Sequence, residues 1–249
     1  MDPELPEIFF EIHSGLPREG PGCFEATQRA FHMLDLPEYP VILDAGCGPG
    51  QQTMDLASLS LGHITALDNH KPYLKRVEAR AREHGIGDRV TTCLGDMAAP
   101  PFSPASFDVI WSEGAIYIIG FQEGLALWRD FLKPGGFAAV TEITWLKPDP
   151  PAELVEFWGE AYPPMADAAE NASRISRAGY DLLGHFPLPD SAWWDDYYGP
   201  IEAKLPSLRD KYRDQPDKLD VIAVEEAELD LHRRYADYYG YVFYVMRRP

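Results

Sequence analysis

Short apolar runs alternate with helix-spaced segments along the first two thirds of the chain. Residues 41–43, 63–67, 90–94, 107–111 and 137–143 read as five successive strands, the first of them a buried parallel one. Between them, residues 51–59 place Met54, Leu56 and Leu59 at spacings that suit a packed helix, and residues 24–34 predict a helix ahead of the first strand. Further on, residues 152–169 read as a helix interrupted at Pro163-Pro164, and residues 180–186 as a sixth strand. Residues 241–246, apolar at every position, read as a buried last strand. Strand and helix in alternation predict one α/β domain with a largely parallel sheet. The stretch 187–240 between the last two strands is too long for a hairpin, and its Val224, Ala227, Leu231, Tyr235 and Tyr238 fall on one helical face. It is expected to pack over the C-terminal edge of the strands, where open α/β sheets bind ligands.

The loop after the first strand carries the most chemistry. Asp44-Ala45-Gly46-Cys47-Gly48-Pro49-Gly50-Gln51 puts a carboxylate and three glycines between a strand and a helix. Glycine allows φ > 0 and brings backbone close to a ligand beside the positive end of a helix, which favours an anionic group there. A dinucleotide loop requires Gly-x-Gly-x-x-Gly, whereas the glycines here are 46, 48 and 50 and position 51 is Gln. Asp44 suits a ligand bearing an amino group and would repel a pyrophosphate. An amino-acid-bearing nucleoside fits these constraints better than NAD.

With Val-Ile-Leu before it, this loop resembles the first motif of the class I S-adenosylmethionine-dependent methyltransferases. Other residues fall where that family places its cofactor contacts. Asp68-Asn69 end the second strand, where the resemblance implies bonds to the ribose hydroxyls, and Asp96-Met97 follow the third, where it implies adenine contacts. The segment from Ser112 to Tyr117 follows the fourth strand, where the family lines the space between methyl donor and acceptor, and Lys133-Pro134-Gly135-Gly136 resembles the turn before its fifth strand. Taken singly, an Asp at a strand end is ordinarily a cap or turn former. The order of the whole set carries the resemblance. It implies a Rossmann-like seven-stranded sheet of order 3-2-1-4-5-7-6, last strand antiparallel, with helices on both faces and an insertion at 187–240. Within the single domain 1–249, residues 1–36 form an N-terminal cover, 37–146 the cofactor half and 147–249 the acceptor half.

Composition narrows the partners. A net charge of −18 repels phosphate backbones and anionic lipid, and the basic residues at 75–82 and 233–234 are interleaved with acids. Nucleic acid is therefore not expected, and no apolar run is long enough to span a bilayer. The fourth-strand loop also lacks the Asn/Asp-Pro-Pro-Tyr pattern of amide-nitrogen methyltransferases, which leaves a small-molecule acceptor. Three cysteines, 23, 47 and 93, without a Cys-x-x-Cys pair argue against a disulfide framework or zinc ribbon. The N-terminus lacks the regions of a signal peptide, so a cytoplasmic location is expected. Oligomeric state is not legible.

The resemblance implies cofactor contacts from Asp44, Gly46, Cys47, Gly48, Gly50, Gln51, Asp68, Asn69, Asp96, Met97, Glu113 and Ala115, with Arg18 of the Pro/Gly-rich lead facing the methionine carboxylate. Cys47 has no evident His partner, so it is read as a small residue that fits the loop. Methyl transfer from a sulfonium requires alignment and, for some acceptors, removal of a proton, but no metal. Glu113 and Tyr117 are the candidate catalytic residues, with His185 and Glu142 as reserve bases. Tyr117, His185, Trp193 and Tyr197 are candidates for the acceptor pocket. Two other readings stay open: a cofactor-binding protein without chemistry, and a dehydrogenase, which the loop spacing disfavours.

Overall fold

The computed structural model describes residues 7–249. Its elements run α1 Glu7–His13, α2 Phe24–Phe31, β1 Val41–Ala45, α3 Gln51–Leu59, β2 His63–Asp68, α4 Lys71–Glu83, β3 Val90–Leu94, β4 Phe107–Ser112, α5 Phe121–Trp128 and β5 Leu132–Trp145. They continue with α6 Ala152–Ala161, the two-residue β6 Ala166–Asp167, α7 Ala168–Arg177, β7 Asp181–Pro187, α8 Ser191–Trp193, α9 Gly199–Lys211, α10 Pro216–Tyr235 and β8 Tyr239–Arg247. The path of the sheet is β3-β2-β1-β4-β5-β8-β7. Counting only its seven long strands, this is the expected order. β1 to β5 are parallel, and β8 enters antiparallel between β5 and β7.

Burial on both faces explains the composition of the strands. Ile42, Val109, Trp111 and Phe243 face one core layer with Ala26, Ala30 and Leu56, while Leu43, Ile110, Val140 and Tyr244 face the other with Phe121, Leu125 and Trp128. β3 lies at the sheet edge, and its Thr91 and Thr92 reflect one-sided cover.

Three boundaries differ from expectation for local reasons. Lys133-Pro134-Gly135-Gly136 lies inside β5 as an irregularity, because Leu132 already pairs with Phe107 before Phe137 pairs with Val109. Gly135 takes φ +77 there, and a Cβ on Gly136 would stand 2.9 Å from the Lys133 carbonyl. The helix read over residues 152–169 is divided. α6 stops at Ala161, Ala166 and Asp167 pair with Thr144 and Trp145, and the Asp167 carboxylate caps α7 by accepting from the Glu170 N–H at 2.8 Å. Helix α2, expected to reach residue 34, ends at Phe31.

The insertion is helical and builds a core of its own. Trp193, Tyr198, Ile201, Leu205, Ile222 and Leu231 pack with Tyr239, and Ile8 and Ile12 of α1 join them. The N-terminal helix and the insertion therefore form one cap. No helix among the described residues is long and apolar enough to cross a membrane.

Candidate functional site

A cavity of about 580 Å³ opens at the C-terminal ends of β1, β2, β3 and β4. That volume suits a ligand of nucleoside size. Its floor is the glycine loop. Gly46, Gly48 and Gly50 all take positive φ, and a Cβ on Gly46 would stand 2.5 Å from the Ala115 Cβ. One on Gly50 would stand 2.6 Å from Val77, where α3 and α4 approach. The loop amides do not point at a ligand as the glycine pattern suggested. Gly46 and Cys47 donate to the Leu67 carbonyl, Gly48 to the Asp68 carboxylate and Gly50 to the Cys47 carbonyl. The glycines make room and leave the donors satisfied.

Asp68 ends β2 and lines the cavity. Its two oxygens accept from the amides of Gly48 (2.9 Å) and His70 (2.7 Å), which leaves a lone pair on each. Asp96 is exposed, accepts from the Ala98 amide at 2.8 Å and lines the same cavity with Asn69, Gly95 and Met97. The Met97 carbonyl is fixed by the Trp128 indole at 3.0 Å.

Above the loop lies the segment between α1 and α2. Arg18, 3% exposed, spans Asp55 of α3 and Glu113 after β4. Glu113 accepts from Arg18 at 2.8 Å, from the Thr27 hydroxyl at 2.7 Å and from the Trp111 indole at 2.8 Å. Three of its roughly four acceptor positions are thereby filled and one on Oε2 remains. The second glycine of Arg18-Glu19-Gly20-Pro21-Gly22 has a steric reason: a Cβ on Gly22 would stand 2.9 Å from both members of the Arg18–Glu113 pair, whereas one on Gly20 would make only ordinary contact, 3.8 Å from the Gly114 Cα.

The predicted residues divide into two sets. Arg18, Gly46, Cys47, Gly48, Asp68, Asn69, Asp96, Met97, Glu113, Ala115 and Tyr117 converge on the cavity. Asp44 lies behind it, fully buried and bonded to Thr53 and Gln52, and burial pushes its carboxyl up to about 7. Gln51 turns away, donating to Asp55 at 2.9 Å and accepting from Arg80. Burial raises the Cys47 thiol well above its usual range, so it is not a thiolate. His185 is exposed on β7, and Trp193 is packed in the cap core against His232 at a ring distance of 4.2 Å. Neither lines the cavity. Tyr197 stands in the cap, 5.8 Å from the His13 ring.

The sequence reading missed one wall altogether. Phe9, Phe10, Glu19, His70 and Tyr73 line the cavity, with His70 stacked on Phe10 at 4.7 Å. Phe9-Phe10 within Glu7–His13 was the available signal, but its helix is only seven residues long.

A family model described as a methyltransferase domain matches residues 42–136, which hold the loop, Asp68 and Asp96. The chain is also 30% identical over 139 residues to the probable cobalt-precorrin-6B C(15)-methyltransferase (decarboxylating) of Methanothermobacter thermautotrophicus. That match covers 56% of this chain and 70% of the relative. The chain belongs to the class I S-adenosylmethionine-dependent methyltransferases. Another relative in this family, a sterol 24-C-methyltransferase of Gibberella zeae, is 26% identical over 185 residues, covering 70% of this chain and 48% of the relative. The chain spans about half the length of the sterol methyltransferases it matches. The crystal structure of a methyltransferase from Geobacter sulfurreducens, in complex with S-adenosyl-L-homocysteine, matches over 99% of both chains with a TM-score of 0.84 and 22% identity. At that identity the likeness speaks for the methyltransferase fold.

The cavity fits the cofactor of this methyltransferase family. Glycines and the small Ala115 make the narrow part, a half-filled acid ends β2, and the buried Arg18 Nε has no hydrogen-bond partner among the described residues.

Proposed function

We propose that this protein transfers a methyl group from S-adenosylmethionine to a small-molecule acceptor bound beneath the helical cap. The observation that carries the reading is the cavity itself, where the acids after β2 and β3, the glycine cradle and the Arg18–Glu113 pair converge. Bound there, S-adenosylmethionine supplies a methyl already activated by a sulfonium. The protein's work is then binding and alignment, which in well-oriented reactions is worth roughly 7–11 kcal/mol.

Asp68 uses its remaining lone pairs for the two ribose hydroxyls. Asp96 takes the adenine amine, with the Met97 thioether against the ring. The free position on Glu113 Oε2 receives the amino group of the methionine portion, and the Arg18 Nε–H donates to its carboxylate. The amino acid's two charges thus meet groups that already pair with each other and with Asp55. Glu113 acts here by positioning, because its other acceptor positions hold Arg18, Thr27 and Trp111. Tyr117, 41% exposed at the cavity rim, faces the acceptor side.

Parallel calorimetric titrations with S-adenosylmethionine, S-adenosylhomocysteine and NAD test this reading. Saturable binding of the first two and silence from NAD is the expected result. Binding of NAD alone would overturn the assignment of the loop.

A further inference from the structure

Behind the cavity wall, a buried imidazole stands between two carboxylates that reach it from opposite sides. His13 ends α1, is 2% exposed and is not among the residues that line the cavity. Its Nδ1 lies 3.0 Å from Glu19 Oε2, and its Nε2 faces Glu225 Oε1 of α10 at 3.5 Å. A neutral imidazole carries one N–H and would turn a lone pair on one of these acids, whereas the imidazolium offers an N–H to each. Burial works against the charge, but the two carboxylates outweigh it and raise the group from 6.5 to about 9. The other groups around the ring leave this arrangement in place. Glu228 of α10 adds a further negative charge within electrostatic reach, Phe9 stacks on the ring at 4.1 Å, and Tyr197 meets it edge-on at 5.8 Å. Lys204 of α9 is engaged by the carbonyls of Ile12 and Ser14, Arg76 of α4 by that of Gly15 at 3.2 Å, and Glu11 of α1 by Lys211 and Tyr212.

Of the two acids, Glu19 belongs to the cavity. It lines it within the run Arg18-Glu19-Gly20-Pro21, and its side chain lies along the glycine loop, where a Cβ on Gly48 would stand 3.4 Å from the Glu19 Cγ. The Gly48 amide in turn donates to Asp68 at 2.9 Å. Two carboxylates therefore share one corner of the site. The Asp68 carboxyl is raised first by burial, and the charge of Glu19 adds to that. Tyr73, which lines the same corner, keeps its phenol proton through burial first and then through the charge of Glu19. Left without a counter-charge, Glu19 would be driven away from Asp68 and toward solvent. The cation behind it offsets that repulsion and fixes the carboxylate by a charge-assisted bond.

Resting on the methyltransferase reading, we infer that His13 is a positioning residue for cofactor binding: its cation holds Glu19 against the glycine loop beside Asp68, and loss of the proton releases that wall and weakens the bound cofactor. Glu225 steadies the ring from α10, so the insertion contributes to cofactor affinity without touching the cofactor.

The test is the ratio of the S-adenosylhomocysteine Kd of His13→Gln to that of the wild type, measured calorimetrically on the full chain between about pH 7 and pH 10.5. Titration of the ligand's own amino group enters both values and cancels in the ratio. Because the cation is present below about pH 9 and lost above it, the ratio should be about 10 at pH 7 and fall toward 1 as pH rises through 9. Glu19→Gln should remove the pH dependence as His13→Gln does, and the double variant should be no weaker than the weaker single one, since His13 acts through Glu19. Glu225→Gln takes away one of the charges that keep the proton, so its Kd should start to weaken at a lower pH than that of the wild type. A purely structural role for His13 would lower the Tm of His13→Gln and leave the ratio near 1 throughout. That result, or a ratio that stays constant with pH, overturns the inference alone. Failure of the wild type to bind S-adenosylhomocysteine at pH 7 overturns the methyltransferase reading and this inference with it.

Discussion

Replacing Glu113 by Gln tests whether this residue joins structure to binding. The substitution preserves shape and keeps one amide oxygen, which can still accept from Thr27 and Trp111 in place of Oε1. The amide NH₂ then occupies the place of Oε2 and meets the Arg18 guanidinium donor to donor, where the carboxylate now accepts at 2.8 Å. With side chains 3% and 4% exposed, Arg18 and Glu113 are a buried pair, and removing one partner of such a pair costs about 3–5 kcal/mol. Against a total stability of about 5–15 kcal/mol this is a large fraction, and for a chain of this size it lowers Tm by roughly 10 °C. The same change removes the remaining acceptor on Oε2, so affinity for S-adenosylhomocysteine should fall at least about 10-fold at a temperature where the variant is folded. Urea unfolding gives the first quantity and calorimetry the second. A stability loss under about 1 kcal/mol would show that the crowded carboxylate is not what holds the Arg18 segment. Full stability loss with unchanged affinity would remove Glu113 from the cofactor site.

Gly46→Ala puts a Cβ 2.5 Å from that of Ala115 at a φ of +72, so calorimetry should show S-adenosylhomocysteine binding weakened at least about 10-fold. Asp96→Asn should leave Tm within about 2 °C, because the side chain is exposed, yet weaken S-adenosylhomocysteine about 10-fold; S-inosylhomocysteine, which lacks the exocyclic amine, should bind both forms alike. For His13, burial pulls the pKa down, but the bonds and charges of Glu19 and Glu225 outweigh it and raise the group from 6.5 to about 9. The folded state therefore holds the proton more tightly, and its contribution of roughly 3 kcal/mol is full below about pH 6.5 and is lost as pH rises through 9. Urea midpoints of the wild type and His13→Gln should differ most at pH 6 and converge by pH 10, and a constant gap across that range would refute the assignment.

The parts of the fold that could be read from sequence are those whose cause is local. A parallel strand covered on both faces must be apolar at consecutive positions, and Val41–Ala45 and Phe107–Ser112 show this directly. Asp68 and Asp96 were legible because strand ends in an α/β sheet share one edge, so an acid just past each apolar run is delivered to the same place. Asp167 with Glu170 also carried a visible capping pattern, which the reading of one broken helix over 152–169 passed over. Hidden were features set by long-range pairing. Arg18 meets Glu113 across 95 positions, and nothing near either residue announces the other. Trp193 suggested a pocket, but large apolar rings serve a small helical core equally well, and Trp193 is 4% exposed within one. The exposure of His185 follows from its place on β7, the end strand of the sheet, which no periodicity in 180–186 distinguishes from a central one.

The placement of charge along the N-terminal segment explains how that segment is held between the glycine-loop side of the sheet and the helical insertion. In a chain of net charge −18, two cations close together in sequence, His13 and Arg18, are both buried, at 2% and 3% exposure. Each is flanked by two carboxylates from different elements: His13 by Glu19 and Glu225, Arg18 by Asp55 and Glu113. Without these cations the carboxylates of α3, the β4 loop and α10 would face one another across a poorly solvated space, so the segment's position is dictated by charge as much as by the packing of Ile8, Ile12 and Leu16. Arg18 reaches the glycine-loop side, while His13 reaches the insertion. Because Glu19 lines the cavity and also binds His13, which in turn meets Glu225, the cavity wall and α10 are tied to the same segment.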